Sequence, residues 1–176
     1  MSNQNGVSVT HFASPIGDIL LSSDAEAITG LWMERQRYFA QSLPTAWEER
    51  LTPVLEEAVR WLKIYFQGAA PDFCPPLRPE GTRFQLTVWE ILRTIPFGRT
   101  VTYGELAELV AAKLHRTAMS ARAVGGAVSR NPISIMIPCH RVIGANRALT
   151  GYAGGLERKR FLLEIEKTSH DRSDSC

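Results

Sequence analysis

Between Ala69 and Glu80 the chain places four of its ten prolines, Pro71, Pro75, Pro76 and Pro79. Proline has no N–H to give to a helix or a strand ladder, and it pushes the residue before it out of the helical region. Such a stretch cannot lie inside a helix or a central strand. It reads as a linker, and it divides the 176 residues into two parts with different patterns.

Before the linker the pattern is that of strands. Val7, Val9 and His11 alternate with polar residues, Ser14-Pro15-Ile16-Gly17 makes a turn, and Ile19 to Leu21 continues as a strand. Asp24 to Ala27 turns again before Ile28 to Met33. Period-two alternation bounded by turn residues predicts hairpins. Thr52-Pro53 then supplies an N-cap and a first-turn proline, Ala58, Leu62 and Phe66 recur at helical spacing, and Gly68 stops that helix. After the linker the pattern is helical. Thr82 with Gln85 forms a capping box ahead of the apolar face Phe84, Val88, Ile91, Leu92 and Ile95, and Pro96 and Gly98 end it. Thr102 with Glu105 forms a second box, followed by Leu106, Leu109 and Val110, and a third helix is expected from Ser120 to Ser129. Two short helices joined by a turn fit a helix-turn-helix and equally a plain helical hairpin. The reading is α+β: a small N-terminal antiparallel-sheet and helix domain over 1–80, a helical domain over 81–167, and a disordered tail over 168–176.

Charge is divided along the same line. Residues 1–80 hold 6 Lys/Arg and 10 Asp/Glu, whereas 81–167 hold 13 and 6. A basic half beside an acidic half is what phosphate binding would require, although basic surfaces are also common in soluble domains. Three cysteines (Cys74, Cys139 and Cys176) are too few and scattered for a disulfide framework or a zinc site. The N-terminus shows no basic region followed by an apolar run, so no signal peptide is expected. A reduced, cytoplasmic setting fits free thiols.

The residues that carry chemistry are Ile137-Pro138-Cys139-His140-Arg141-Val142. A thiolate attacks carbon electrophiles well, but a free thiol has a pKa of about 8.5 and needs a base or donor nearby. His140 is a candidate base. In an extended segment neighbouring side chains point to opposite faces, so a bridging water is the expected link. The alternative is a buried, inert cysteine. The third helix is also unusual, because Ala121, Ala123, Gly125, Gly126 and Ala127 are all small. Each glycine costs roughly 1 kcal/mol of helix stability relative to alanine. Either tight packing against a neighbouring helix or close approach to DNA would compensate.

Taken together, these elements resemble the O6-alkylguanine-DNA alkyltransferases, also called methylated-DNA–protein-cysteine methyltransferases. The hexapeptide matches the family's active-site signature. The match runs in order through Gly81-Thr82-Arg83-Phe84-Gln85, Trp89, Ile95-Pro96, Val101 to Leu106, Ala121 to Ala127, Asn131-Pro132, the hexapeptide, Gly151 to Gly155, and Lys159 to Glu166. It covers residues 81–167, and the first 80 residues resemble the family's variable N-terminal domain more weakly.

The resemblance implies a winged-helix-like C-terminal domain with a helix-turn-helix. It also implies single-turnover repair, in which an alkyl group passes from guanine O6 (and thymine O4) in double-stranded DNA to Cys139. His140 and Glu166 match the family's base and its orienter. Tyr103 matches the tyrosine that supports nucleotide flipping and then bonds the base. Arg122 matches the residue that enters the base stack, on a minor-groove helix with Ala123, Gly125 and Gly126. Asn131 matches a link between the DNA-binding helices and the active-site segment. Ser134, Val142, Tyr152, Ala153 and Lys159 match the pocket and its supports, and Ser134, where relatives carry proline, is expected to widen the pocket. Arg141 is expected to be structural.

No cofactor, metal or membrane is implied, and a monomer is expected. The segment Ala111–Ala121 is longer than the family's usual turn. A lesion sensor that binds without reacting, a transcription factor and a thiol hydrolase are the competing classes. The first would lack the cysteine, the second would carry zinc-binding cysteines in an added domain, and the third would turn over many times.

Overall fold

The computed structural model describes residues 6–173 and divides where the prolines predict. The N-terminal unit runs to Glu80 and also takes in Pro132–Ser134; the second unit holds Gly81–Asn131 and the chain from Ile135 on. Assigning all of 81–167 to one domain is therefore corrected at Pro132–Ser134.

In the N-terminal unit, β1 (Val7–Ser14), β2 (Gly17–Ser23) and β3 (Ile28–Met33) form the expected antiparallel meander. The first turn closes with Ser14 Oγ–H donating to the Gly17 carbonyl at 2.6 Å, and Gly17 takes φ +105°. A fourth strand was not expected: β4 (Trp47–Glu49) lies parallel to β1, giving the order β3-β2-β1-β4. The sheet is thus mixed rather than purely antiparallel. Three exposed residues are too short a run to show an alternation. The outer edge of β3 is also occupied. Ile28 N–H donates to Pro76 O at 2.8 Å, Leu31 N–H to Pro132 O at 2.9 Å, and Ser134 N–H to Leu31 O at 3.0 Å. An open strand edge is an invitation to aggregate, and these two short segments remove it.

The helix α1 (Pro53–Phe66) starts at Thr52, whose hydroxyl accepts from Leu55 N–H, and packs on β1–β3. Its Leu55, Ala58, Leu62 and Tyr65 are fully buried, as are Ile19, Leu21, Ile28, Leu31 and Met33 of the sheet. Burying each large side chain stabilises by about 1.5–3 kcal/mol. The opposite face buries Val9, Leu20 and Trp32 under Ala40 and Leu43, which is why Leu20 and Leu21 are both inside.

In the second unit, α2 (Arg83–Leu92) and α3 (Tyr103–Lys113) both begin with complete capping boxes, Thr82/Gln85 and Thr102/Glu105. With α4 (Ala121–Ser129), capped by Ser120, they pack in pairs around Val88, Trp89, Leu92, Leu106, Val110 and Val124. Leu109, expected on the buried face, is 48% exposed, and Ala107 and Ala111 take the inner positions. A two-residue parallel pair joins β5 (Val101–Thr102) to β6 (Val142–Ile143), which brings the start of α3 beside the segment after Cys139. Finally α5 runs from Leu156 to Ser173, so the tail expected from residue 168 is helical to Ser173; residues 174–176 lie outside the described residues. No helix among the described residues is long and apolar enough to cross a membrane.

The chain leaves α3 through a left-handed residue. His115 has φ +54°, and Arg116 N–H returns to the Ala111 carbonyl at 2.8 Å. Glycine is the usual residue at that position because a Cβ there is strained. His115→Gly is therefore expected to raise stability by about 0.5–1 kcal/mol in urea denaturation; a loss would show that the imidazole makes a compensating contact.

Candidate active site

Proline sets the position of the candidate nucleophile. Pro138 has φ −81° and ψ 65°, and Cys139 N–H donates to Ile137 O at 2.8 Å, which is an inverse γ-turn. A 3-10 turn over Cys139–Arg141 follows, closed by Arg141 N–H to Pro138 O at 3.0 Å. The extended geometry expected for this segment is thereby corrected, because two consecutive tight turns curl it. Cys139 is 5% exposed.

Asn131 meets Cys139, and Glu166 meets the residue beside it. Asn131 Nδ2 donates to Cys139 Sγ at 3.2 Å and to the Ile137 carbonyl at 2.7 Å. Asn131 itself follows α4 directly and its N–H returns to Val128 O at 3.3 Å, so one side chain couples that helix to the thiol. His140 Nε2 lies 2.6 Å from Glu166 Oε1, with both side chains fully buried. Glu166 also accepts from Arg141 Nε at 2.9 Å, Arg141 Nη2 at 3.0 Å and Gly98 N–H at 3.1 Å. Arg141 Nη1 donates to Ile95 O at 2.6 Å.

Lys159 lies two turns before Glu166 on the same buried face of α5, with Leu162 between them. Its ammonium donates to the carbonyls of Val142, Thr150 (2.8 Å) and Gly151 (3.2 Å). Tyr103 Oη donates to the Gly151 carbonyl at 3.2 Å, and Gly151 takes φ +53°. The Tyr152 hydroxyl is buried without a hydrogen-bond partner among the described residues.

The electrostatics follow from burial. Burial pushes the Cys139 thiol up, while Asn131, the Lys159 charge and backbone N–H groups pull the other way and do not prevail. The resting sulfur is therefore a thiol that needs a base. Burial drives His140 down against the pull of Glu166, so the ring is neutral at pH 7. Burial also raises Glu166, but His140 and Arg141 outweigh it and hold the carboxyl at about 2. Arg141 is the permanent charge in that group. With the neutral ring's Nε2–H given to Glu166, the lone pair able to take a proton lies on Nδ1. Burial lowers Lys159 to about 8, against the opposite pull of Cys139. Tyr103 is raised by burial and then by Cys139, so it remains a donor.

The exposed face of α4 supplies the second element. Arg122, Ala123 and Gly126 are exposed, and Gly125 is half-buried against the Tyr103 ring. A Cβ on Gly125 would meet that ring at an ordinary 3.6 Å, and one on Gly126 would meet nothing within 4 Å. Packing inside the protein therefore does not require either glycine. Trp89 Nε1 donates to the Ala127 carbonyl at 2.8 Å, which anchors the opposite side of the helix.

Of the residues expected at the site, Cys139, His140, Glu166, Tyr103, Asn131, Val142 and Lys159 share this hydrogen-bonded set, with Tyr152 and Ala153 on its Gly151–Gly155 loop. Ser134 does not join it. Its N–H is bonded to Leu31 and its hydroxyl lies 3.5 Å from Gln36 Oε1, both in the N-terminal unit. A proline there would lose the bond to Leu31, so its substitution bears first on the edge of β3. Arg141, expected to be structural, gives two bonds to the Glu166 carboxylate, and the sequence reading did not foresee that Gly98 N–H meets the same carboxylate. An arginine next to the Cys-His pair was the available signal for the former; nothing local marked the latter.

A buried thiol beside a Glu–His pair, in the same unit as a helix with an exposed face of small residues, defines a class of proteins with a candidate thiol acceptor. The comparisons narrow it. Residues 83–168 match the model of the 6-O-methylguanine DNA methyltransferase DNA-binding domain, and residues 7–79 match that family's ribonuclease-like domain. The chain is 45% identical to a methylated-DNA–protein-cysteine methyltransferase of Haemophilus influenzae over 90% of this chain and 85% of that one. It is 46% identical to one from Methanosarcina acetivorans, covering 88% and 95%. The crystal structure of Mycobacterium tuberculosis O6-methylguanine methyltransferase superposes with a TM-score of 0.79 at 41% identity, covering 93% of this chain and 94% of that one. The Mycobacterium tuberculosis protein in complex with DNA has the same TM-score at 42% identity, with the same coverage. This chain belongs to the 6-O-methylguanine DNA methyltransferase family.

Proposed function

We propose that this protein repairs alkylated double-stranded DNA by moving the alkyl group from guanine O6 to Cys139 Sγ, once per molecule. The observation that carries the reading is the hydrogen-bonded set at Cys139: Asn131 on the sulfur, and a neutral His140 oriented by Glu166. The alkyl carbon cannot be reached in line inside a duplex, so the nucleotide must be flipped out at a cost of a few kcal/mol. Arg122, exposed on the small-residue face of α4, takes the vacated place in the stack, where a planar guanidinium can stack and donate.

The Cys139 proton passes, through a water, to His140 Nδ1. The thiolate attacks the alkyl carbon, an S–C bond forms, the C–O bond breaks, and the electron pair leaves on guanine O6. Protonation of the guanine by Tyr103, kept in its donor form, makes it a better leaving group, and His140 restores the tyrosine proton. Backbone groups of the loop held by Lys159 read the base edge. The thioether is stable in water, so no second cycle follows. Thymine O4 is the second substrate in this reading. The working form is a monomer in the reduced cytoplasm, where the thiol survives.

The test is mass spectrometry after exposure to duplex carrying O6-methylguanine. One methyl group per protein, on the peptide containing Cys139, is expected. Continued turnover, or methylation only at Cys74 or Cys176, would refute the reading.

The glycine face makes a second prediction with opposite signs. Gly126→Ala should stabilise the free protein by up to about 1 kcal/mol, since alanine favours helix and the Cβ meets open space. The same methyl group should weaken duplex binding and slow repair of duplex, while reaction with free O6-benzylguanine is unchanged. A gain in stability with unaltered duplex repair would mean that DNA does not approach this face.

A further inference from the structure

From Leu109 to Leu156 the chain contains no aspartate or glutamate, yet it carries Lys113, Arg116, Arg122, Arg130, Arg141 and Arg147. The structure shows which of these charges are already used. Arg141 is bound to Glu166, and Lys113 Nζ lies 3.3 Å from Glu90 Oε2. Arg116 is different: it is exposed, and its guanidinium makes no hydrogen bond or ion pair with the described residues.

Its position is specific. The segment between α3 and α4 borders a groove of about 500 Å³ whose lining includes Arg116, Gly104, Glu108, Met119 and Ala121. Gly104 follows Tyr103, and Ala121 precedes Arg122. The groove is therefore lined by the chain neighbours of the two residues assigned above to flipping and intercalation, with Arg116 on its wall. Glu108 is the acid of this lining, and Lys113 is the nearest further cation along the chain.

We infer that Arg116 is a phosphate contact, and that the long segment between α3 and α4 extends the DNA footprint past α4 along the backbone. This rests on the DNA-repair reading and adds to it a surface and a partner chemistry, the phosphodiester backbone. An exposed, unspent cation beside a groove-reading helix is the arrangement that gives register on a duplex without reading its sequence. Binding through such a cation releases a condensed counterion.

The test is binding of undamaged duplex by the full chain across a potassium chloride series. For Arg116→Ala the slope of log affinity against log salt should shrink by about 0.9, and affinity at 0.1 M salt should fall roughly eightfold. Arg116→Lys should keep the slope, because the slope counts charges. Transfer from free O6-benzylguanine should be unchanged in both variants. An unaltered slope in Arg116→Ala, or an equal loss in Arg116→Lys, would overturn the inference while leaving the repair reading in place. Failure of the parent protein to bind duplex at all would overturn both.

Discussion

Glu166→Gln is expected to destabilise the protein by about 3–5 kcal/mol at pH 7 and to slow alkyl transfer by roughly 10²- to 10⁴-fold. Glutamine keeps the shape of the side chain but loses the charge, and it turns one acceptor into a donor. The carboxylate now takes bonds from His140, Arg141 and Gly98, all in a buried position. Without it Arg141, 8% exposed as a residue, is left as an uncompensated buried cation. A loss of that size is a large part of the 5–15 kcal/mol that holds most domains folded. The rate falls for a separate reason: His140 loses the partner that fixes its tautomer, so its proton-accepting nitrogen is no longer held for Cys139.

The sign of the pH dependence follows from the carboxyl at about 2 in the folded protein against an ordinary 4.5. On acidification the unfolded chain binds the proton first, so the contribution is complete above about pH 4.5 and lost as pH falls towards 2. Denaturant melts of parent and variant should therefore differ most near neutrality and converge in acid. Equal stabilities at pH 7 would show that Arg141 and His140 find other partners.

Methylation of Cys139 is expected to lower the melting temperature and loosen DNA binding. The sulfur is buried between the inverse γ-turn and Asn131, and extra carbon in a packed site costs about 1–3 kcal/mol. For a chain of this size that is a drop of about 2–10 °C. The added methyl group also crowds the sulfur that accepts the Asn131 amide, leaving a buried donor poorly paired. Because Asn131 is tied both to the end of α4 and to the Ile137 carbonyl, the displacement is passed to the helix that carries Arg122. Release of DNA is then expected to follow from the same event that modifies Cys139. Calorimetry of methylated and unmodified protein, with duplex affinity measured on both, checks this. A melting temperature unchanged or raised by methylation would exclude it.

Several local features were legible, although the turns around Cys139 were not. The meander from Val7 to Met33, the start of α1 at Thr52, and the capping boxes at Thr82/Gln85 and Thr102/Glu105 depend on residues a few positions apart, where period and side-chain-to-backbone bonding decide. The hexapeptide made Cys139 and His140 legible in the same way. The sequence pattern did not reveal α5 as a helix, because its buried face is Lys159, Leu162 and Glu166, so the apolar repeat is broken by the charges the site needs. Nor did it reveal β4, whose three exposed residues have no inward face.

The sequence alone therefore marked the break in pattern near Glu80 and the helix starts at Thr52, Thr82 and Thr102, which rest on short-range chemistry, and it singled out Cys139 as the candidate nucleophile through the family resemblance. Only the tertiary structure decided the rest: that Pro132–Ser134 completes the edge of β3, that Arg141 and Gly98 meet Glu166, and that Asn131 couples α4 to the sulfur. The first two join residues up to about a hundred positions apart. Such contacts form because buried donors, charges and strand edges must find partners wherever the fold brings them.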